Sequence, residues 1–330
     1  MYWQVTPDQL MSINQRFMLA GGKLDKSTHI IETEDPLDDC AYEFSGDDFS
    51  VAFEIVRPQE QLIPYVFASP HSGTNYSDSF VDASKLDPIS LRGSEDSFVD
   101  DLFSNVPNCG APLLKALFPR AYVDPNREAY ELDPRMFKDY LPRYANTSSP
   151  RVFAGLGTIP RVVTNGDEIY RHKITFAEGK KRIENFYFPY HTALQRLIDE
   201  TKLLFGKCIL IDCHSMPSIG GPMDNDKGNQ RVDVVLGNKF GEACSPKLIN
   251  FVEDHFRAQG MIVQRNQPFA GGYTTRHYGS PETGIHALQI EINRALYMNE
   301  ASITRHAGYD DFKAKVSALL MAVAETNFTL

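Results

Sequence analysis

Apolar runs that end abruptly in polar residues organise this chain. Cys208 to Ile211 are apolar without interruption, and the chain then turns at once to Asp212, His214 and Ser215. An unbroken apolar run suits a strand buried on both faces, as in a parallel sheet. In open α/β sheets, ligands bind outside the carboxyl ends of such strands. Tyr65 to Ser69 repeats the design and passes through Pro70 into His71, Ser72 and Gly73. Gly73 predicts a tight turn close to a ligand. His286 to Arg294 is patterned differently. Leu288, Ile290 and Ile292 share one face and Gln289, Glu291 and Asn293 the other, because side chains alternate along a strand. Either an edge strand with a wet face or a strand whose polar face looks into a pocket gives that pattern. Its place near the carboxyl end of an α/β chain favours the pocket.

Further strands are expected at Phe49 to Val56, Val232 to Gly237, Met261 to Val263, and just before Asp124. Helical patterning covers Phe176 to Phe205, with Pro189 as a break or the first residue of a second helix. Leu194, Leu197, Ile198, Thr201 and Leu204 form its stripe, and Gly206 its stop. Ser245-Pro246 opens a helix that Gly260 closes. Leu91 to Phe103 reads as the start of an amphipathic helix capped by Ser94, and a last helix covers roughly residues 304 to 325. The loop Ser218 to Gly228 is long enough to cover a site. Strands alternating with helices predict a single α/β domain, its mixed, mostly parallel sheet flanked by helices. Residues 1–60, with an acidic loop at 35–48, are expected to be an extension whose strands pack on a main domain of residues 61–330.

Composition narrows the classes of partner. At 330 residues and 42% hydrophobic content, the chain has ample material for a packed core. A net charge of −10 argues against nucleic acid or a membrane surface as a general partner. It leaves room for a small anion held by a few arginines. The five cysteines are scattered, odd in number and without a C-x-x-C pair, which fits a reducing cytoplasm. The opening MYWQVTPDQLMSINQRF lacks a signal-peptide pattern, and no apolar run is long enough to span a membrane.

A histidine after a strand is ordinarily a hydrogen-bonded structural group. Two such histidines, His71 and His214, brought to one sheet edge suggest a shared metal with neutral imidazoles as ligands. Glu95 and Asp96 either favour the positive end of a helix, or one of them completes a three-ligand zinc site. Arg127 either forks onto a substrate carboxylate or pairs with Asp124 or Glu128. His191 reads as structural. Cys213 and His214 point to opposite faces of their strand, and no G-x-S-x-G elbow is present, which argues against a nucleophilic serine or cysteine hydrolase.

The ordered segments PHSG, SEDSFVDDLF, YVDPNRE, GLGTIPRVV, EIYRHKI, PYH, IDCHSMPS, DVVLGN, GGYTTRHYG and HALQIEINRALYM resemble the N-formylglutamate amidohydrolase family. The resemblance runs over roughly residues 62 to 300. It implies a phosphorylase/hydrolase-like fold related to zinc-dependent exopeptidases and amidases. It further implies one Zn2+ per chain on His71, His214 and an acid, Asp96 being favoured over Glu95, with Glu291 as the catalytic carboxylate. Arg127, Arg294, Asn126 and Arg276 are the implied substrate-binding residues. The implied substrate is a small anionic N-acyl amino acid, foremost N-formyl-L-glutamate, cleaved to formate and L-glutamate. A related zinc amidohydrolase or carboxypeptidase acting on another N-acyl amino acid or peptide, or an inactive binding homologue, is the alternative.

Overall fold

The alternation in the two longest strands sets the architecture. A computed structural model describes residues 51–326 apart from Met223, so the expectations for residues 1–50 lie outside the described residues. Seven strands form one sheet: β1 (Phe53–Val56), β2 (Tyr65–Ser69), β3 (Leu113–Ala116), β4 (Cys208–Met216), β5 (Val234–Gly237), β6 (Val263–Arg265) and β7 (Ile285–Asn293). Their order is β1-β3-β2-β4-β7-β5-β6. Strands β3, β2, β4 and β7 run parallel, as do β5 and β6, while β1 and β5 pair antiparallel with β3 and β7. The sheet is therefore mixed and mostly parallel. The main helices are α1 (Phe176–Arg182), α2 (Phe188–Phe205), α3 (Pro246–Ala258), α4 (Tyr273–Tyr278) and α5 (Tyr309–Glu325).

Every residue of β4 is buried, and its two faces do different things. On one face Ile209, Ile211 and Cys213 join Leu288, Ile290 and Ile292 of β7 in a core with α3 and α5. On the other, Cys208, Leu210 and Ala287 pack with α2. The register pairs Leu210 with Ala287, Asp212 with Gln289, and His214 with Glu291. This second face thus changes from core to polar groups toward the carboxyl ends, while the first stays apolar from Ile209 to Cys213 and from Leu288 to Ile292. Each buried Leu, Ile or Val on the apolar face contributes roughly 1.5–3 kcal/mol. A one-residue slip would send Glu291 into that core, so the apolar face fixes the register. Because β7 lies between β4 and β5, it is not an edge strand, and the wet-edge explanation of its polar face does not apply.

Several local expectations are corrected. Ser94 caps no helix; it ends a 3-10 turn, and its hydroxyl accepts the Thr164 N–H. Phe98 has φ 68°, which interrupts the segment and leaves only Val99–Leu102 helical. The strand expected just before Asp124 lies farther back, as β3, and Pro119 to Val123 form a turn. Pro189 stands in the first turn of α2, which follows a π-helical turn, and Gly206 ends that helix with φ 72°. Leu204 is exposed, so the buried stripe stops at Thr201. The last helix starts only at Tyr309, because Thr304–Arg305 pairs with Met298–Asn299 in a small hairpin. Among the described residues no helix is long and apolar enough to cross a membrane.

Candidate active site

His71 reaches the site through the turn after β2. A Cβ on Gly73 would lie 2.2 Å from the Phe118 carbonyl oxygen. Glycine is therefore needed there for close approach of the Phe118 backbone, two residues after His71. The His71 carbonyl accepts the Asp96 N–H at 3.0 Å, and the Ser72 hydroxyl donates to the Asp96 carbonyl at 2.9 Å. These two bonds fasten Asp96 beside His71. His214 arrives from β4, the parallel neighbour of β2.

The three side chains meet at one point. His214 Nδ1 is 3.1 Å from His71 Nδ1 and 3.0 Å from Asp96 Oδ2; His71 Nδ1 is 3.3 Å from that same oxygen. All three residues are buried. A carboxylate stands behind each ring: Asp124 Oδ1 is 2.8 Å from His71 Nε2, and Asp212 Oδ2 is 3.0 Å from His214 Nε2. An ionised carboxylate only accepts, so the proton of His71 belongs on Nε2 and its Nδ1 presents a lone pair. Asp212 is wholly buried without an aligned hydrogen-bond donor, and its Oδ2 shares His214 Nε2 with the Asn126 amide nitrogen. Two ring nitrogens and a carboxylate oxygen gathered this closely need a positive charge among them. A proton on His214 supplies it, and so does a metal ion. A carboxylate behind each imidazole is also the usual support of metal-ligating histidines. The donor set therefore fits a divalent cation, and among the described residues no other group of three His, Cys, Asp or Glu side chains does.

Charge follows this arrangement. Burial alone would raise the Asp96 carboxyl, but hydrogen bonds from His214 and His71 and the charges of His71 and Arg294 hold it well below the usual range. Burial opposes ionisation of Asp124 too, and Arg120, Arg127 and His71 overcome it. Burial would lower His214, yet Asp212, Asp96 and Glu291 raise it well above an ordinary imidazole. Burial lifts Glu291 to about 8, with His214 and Arg120 opposing and Asp96 and Asp212 adding.

The expected site residues divide clearly. Glu95 turns away to Arg92 at 2.9 and 2.8 Å, Ser97 at 2.7 Å and Tyr76 at 3.2 Å, so the acid beside the histidines is Asp96. Glu291 lies across from His214, and Gln289 Nε2 donates to its Oε1 at 2.8 Å. Arg294 donates to Asp96 at 3.0 Å, to Ser215 at 3.2 Å and to the Gly93 carbonyl at 3.3 Å. Arg127 lies 3.3 Å from Asp124, the pairing that was one of its two expected roles, donates to the carbonyls of Leu156 and Asn126, and faces the cavity. Asn126 Nδ2 lies 3.2 Å from His214 Nε2, and its Oδ1 accepts the Thr274 N–H at 2.8 Å. Arg276 is not brought to the cavity: α4 buries Thr274, Thr275 and Tyr278 and leaves Arg276 exposed. His191 is structural as expected, 2.8 Å from both the Pro125 carbonyl and the Tyr278 hydroxyl, with burial lowering it to about 4.

Sequence reasoning missed Asp124 and Asp212 as supports of the rings. Asp212 was within reach, since it precedes His214 by two positions and shares its face. Asp124 was not, because 53 residues separate it from His71. The cavity in front of these groups has a volume of about 270 Å³, and the Ser218 to Gly228 loop contributes Asp224 to its wall.

Comparison with known proteins follows the same span of chain. The N-formylglutamate amidohydrolase family model matches residues 63–298. An N-formylglutamate deformylase of Pseudomonas putida is 28% identical over 247 residues, covering 72% of this chain and 83% of that protein. Another, of Pseudomonas aeruginosa, is 28% identical over 250 residues, with 75% and 86% covered. The crystal structure of N-formylglutamate amidohydrolase from Ralstonia eutropha JMP134 matches with a TM-score of 0.75 at 34% identity, over 83% of this chain and 97% of that one. These relatives support a hydrolase. The matched span runs from the start of β2 past the end of β7 and contains His71, Asp96, His214 and Glu291, and on that ground the chain belongs to the N-formylglutamate amidohydrolase family.

Proposed function

We propose that this chain hydrolyses the formyl amide of N-formyl-L-glutamate, yielding formate and L-glutamate. The observation that carries the reading is the meeting of His71 Nδ1, His214 Nδ1 and Asp96 Oδ2 within 3.3 Å of one another, with Glu291 across from His214. The names of the relatives narrow the substrate. Two imidazoles and one carboxylate are a ligand set suited to zinc. His71, Asp96 and His214 would hold one ion per chain, and it would supply Lewis acidity at the scissile carbonyl and acidify water there.

The remaining steps belong to the chain's own residues. Glu291 takes a proton from the attacking water and returns it to the amine nitrogen as the C–N bond breaks, leaving the hydroxyl on the formyl carbon. Burial raises the Glu291 carboxyl above the usual range, which suits a group that both accepts and gives back a proton. Gln289 fixes one oxygen of that carboxyl and so aims it. Arg127 and Arg294, with Asn126, hold the α-carboxylate next to the amide and so orient it.

A panel of N-acyl amino acids tests the reading. Purified protein of measured zinc content should release formate from N-formyl-L-glutamate faster than it cleaves N-acetylglutamate or N-formylmethionine. Full zinc content with no amide cleavage on any of them would end the proposal.

A further inference from the structure

We infer that Arg151 and Lys239 form the site for a second, distal carboxylate of the substrate, so that they select N-acyl derivatives of acidic amino acids. The inference rests on the amide-hydrolase reading above and names the residues that choose the side chain. Six cations line the cavity: Arg120, Arg127, Arg151, Arg231, Lys239 and Arg294. Four already contact carboxylates: Arg120 and Arg127 share Asp124, Arg231 pairs with Asp224 and Asp226, and Arg294 with Asp96. Arg151 and Lys239 form no ion pair with any described residue. In a chain of net charge −10, two cations at one cavity without a carboxylate partner among the described residues attract an anion.

The backbone holds Lys239 at this wall against its own preference. Lys239 and Phe240 have φ of 53° and 57°, in the left-handed region that L-residues enter only at a cost. Asn266 fixes the segment: its Oδ1 accepts the N–H groups of Asn238 at 3.0 Å and Phe240 at 3.3 Å, and its Nδ2 donates to Asn238 Oδ1 at 3.0 Å. The Lys239 N–H donates to the Ala270 carbonyl at 2.8 Å. Backbone strain that its surroundings enforce is concentrated at ligand-binding walls. Arg151 is exposed in the single helical turn Pro150–Phe153, and its charge acts on the buried Arg127. A carboxylate bound at Arg151 would relieve that repulsion. A planar guanidinium with a mobile ammonium offers both a fork and a point charge to the two oxygens.

Calorimetric titration with glutarate, a dicarboxylate that cannot be hydrolysed, tests this on the full-length, metal-loaded protein. Arg151→Gln and Lys239→Gln should each weaken binding by about 10- to 100-fold, the worth of a charge-assisted hydrogen bond. Lys239→Arg, which keeps the charge on the same backbone, should recover most of the loss. In parallel, the kcat/KM preference for N-formylglutamate over N-formylglutamine should fall in both Gln variants. Glutarate binding as tight as in the original chain would overturn the inference, and so would failure of the arginine variant to recover it. If no N-formyl amino acid is cleaved at all, the proposed function fails, and the glutarate titration still decides this site.

Discussion

Two neighbouring acids, Glu95 and Asp96, end with opposite roles. Glu95 is consumed by Arg92, Ser97 and Tyr76, whereas Asp96 touches both histidines and Arg294. Asp96→Asn should therefore lower bound zinc far more than Glu95→Gln, as read by elemental analysis; the reverse order would transfer the ligand role. Residue type alone left both acids open, since either would suit a helix start, and only the family resemblance favoured Asp96. Glu291 was more legible, because alternation placed it opposite three aliphatic residues. Glu291→Gln should keep its zinc while turnover falls roughly 100- to 10,000-fold, the usual loss with a general base. KM should move little, since the loss lies in the transition state. Zinc loss in that variant would make Glu291 a ligand instead, and undiminished turnover would remove its catalytic role.

At the scale of elements, β4 and β7 were readable because aliphatic residues hold one face through the middle of each strand and polar groups take the other toward the carboxyl ends. That is a period-two signal, and neither strand needed tertiary information to reveal it. What stayed hidden depends on contacts far apart in the chain: Asp124 behind His71, Thr164 on Ser94, Phe118 against Gly73. The positive φ of Phe98, which breaks the expected helix, has no sequence signature either. The carboxylates behind the rings give a direct test. Asp124→Asn and Asp212→Asn should each weaken zinc affinity about 10- to 100-fold without removing a ligand. Competition against a chromophoric chelator measures this, and unchanged affinity would deny them a supporting role. On the apolar face, Ile290→Ala should cost about 2–5 kcal/mol in denaturant unfolding. A cost near zero would mean that the β4–β7 core does not fix the register.

For the whole molecule, an acidic chain carries a cavity lined by cations, an arrangement that charge counting alone does not disclose. Zinc binding should also couple to stability, since an ion that binds only the folded chain at 100 times its Kd adds about 2.7 kcal/mol. Zinc should accordingly raise the Tm of the original chain and leave that of His71→Ala and His214→Ala nearly unmoved, while both variants should stay folded. An equal rise in all three would place the ion elsewhere. The most direct test is formate release from N-formyl-L-glutamate plotted against zinc bound per chain. The rate should rise in proportion up to one zinc per chain, vanish with a chelator and return with added zinc. Formate release at full rate from chelator-stripped, zinc-free protein would contradict the metal-dependent hydrolysis proposed for this site.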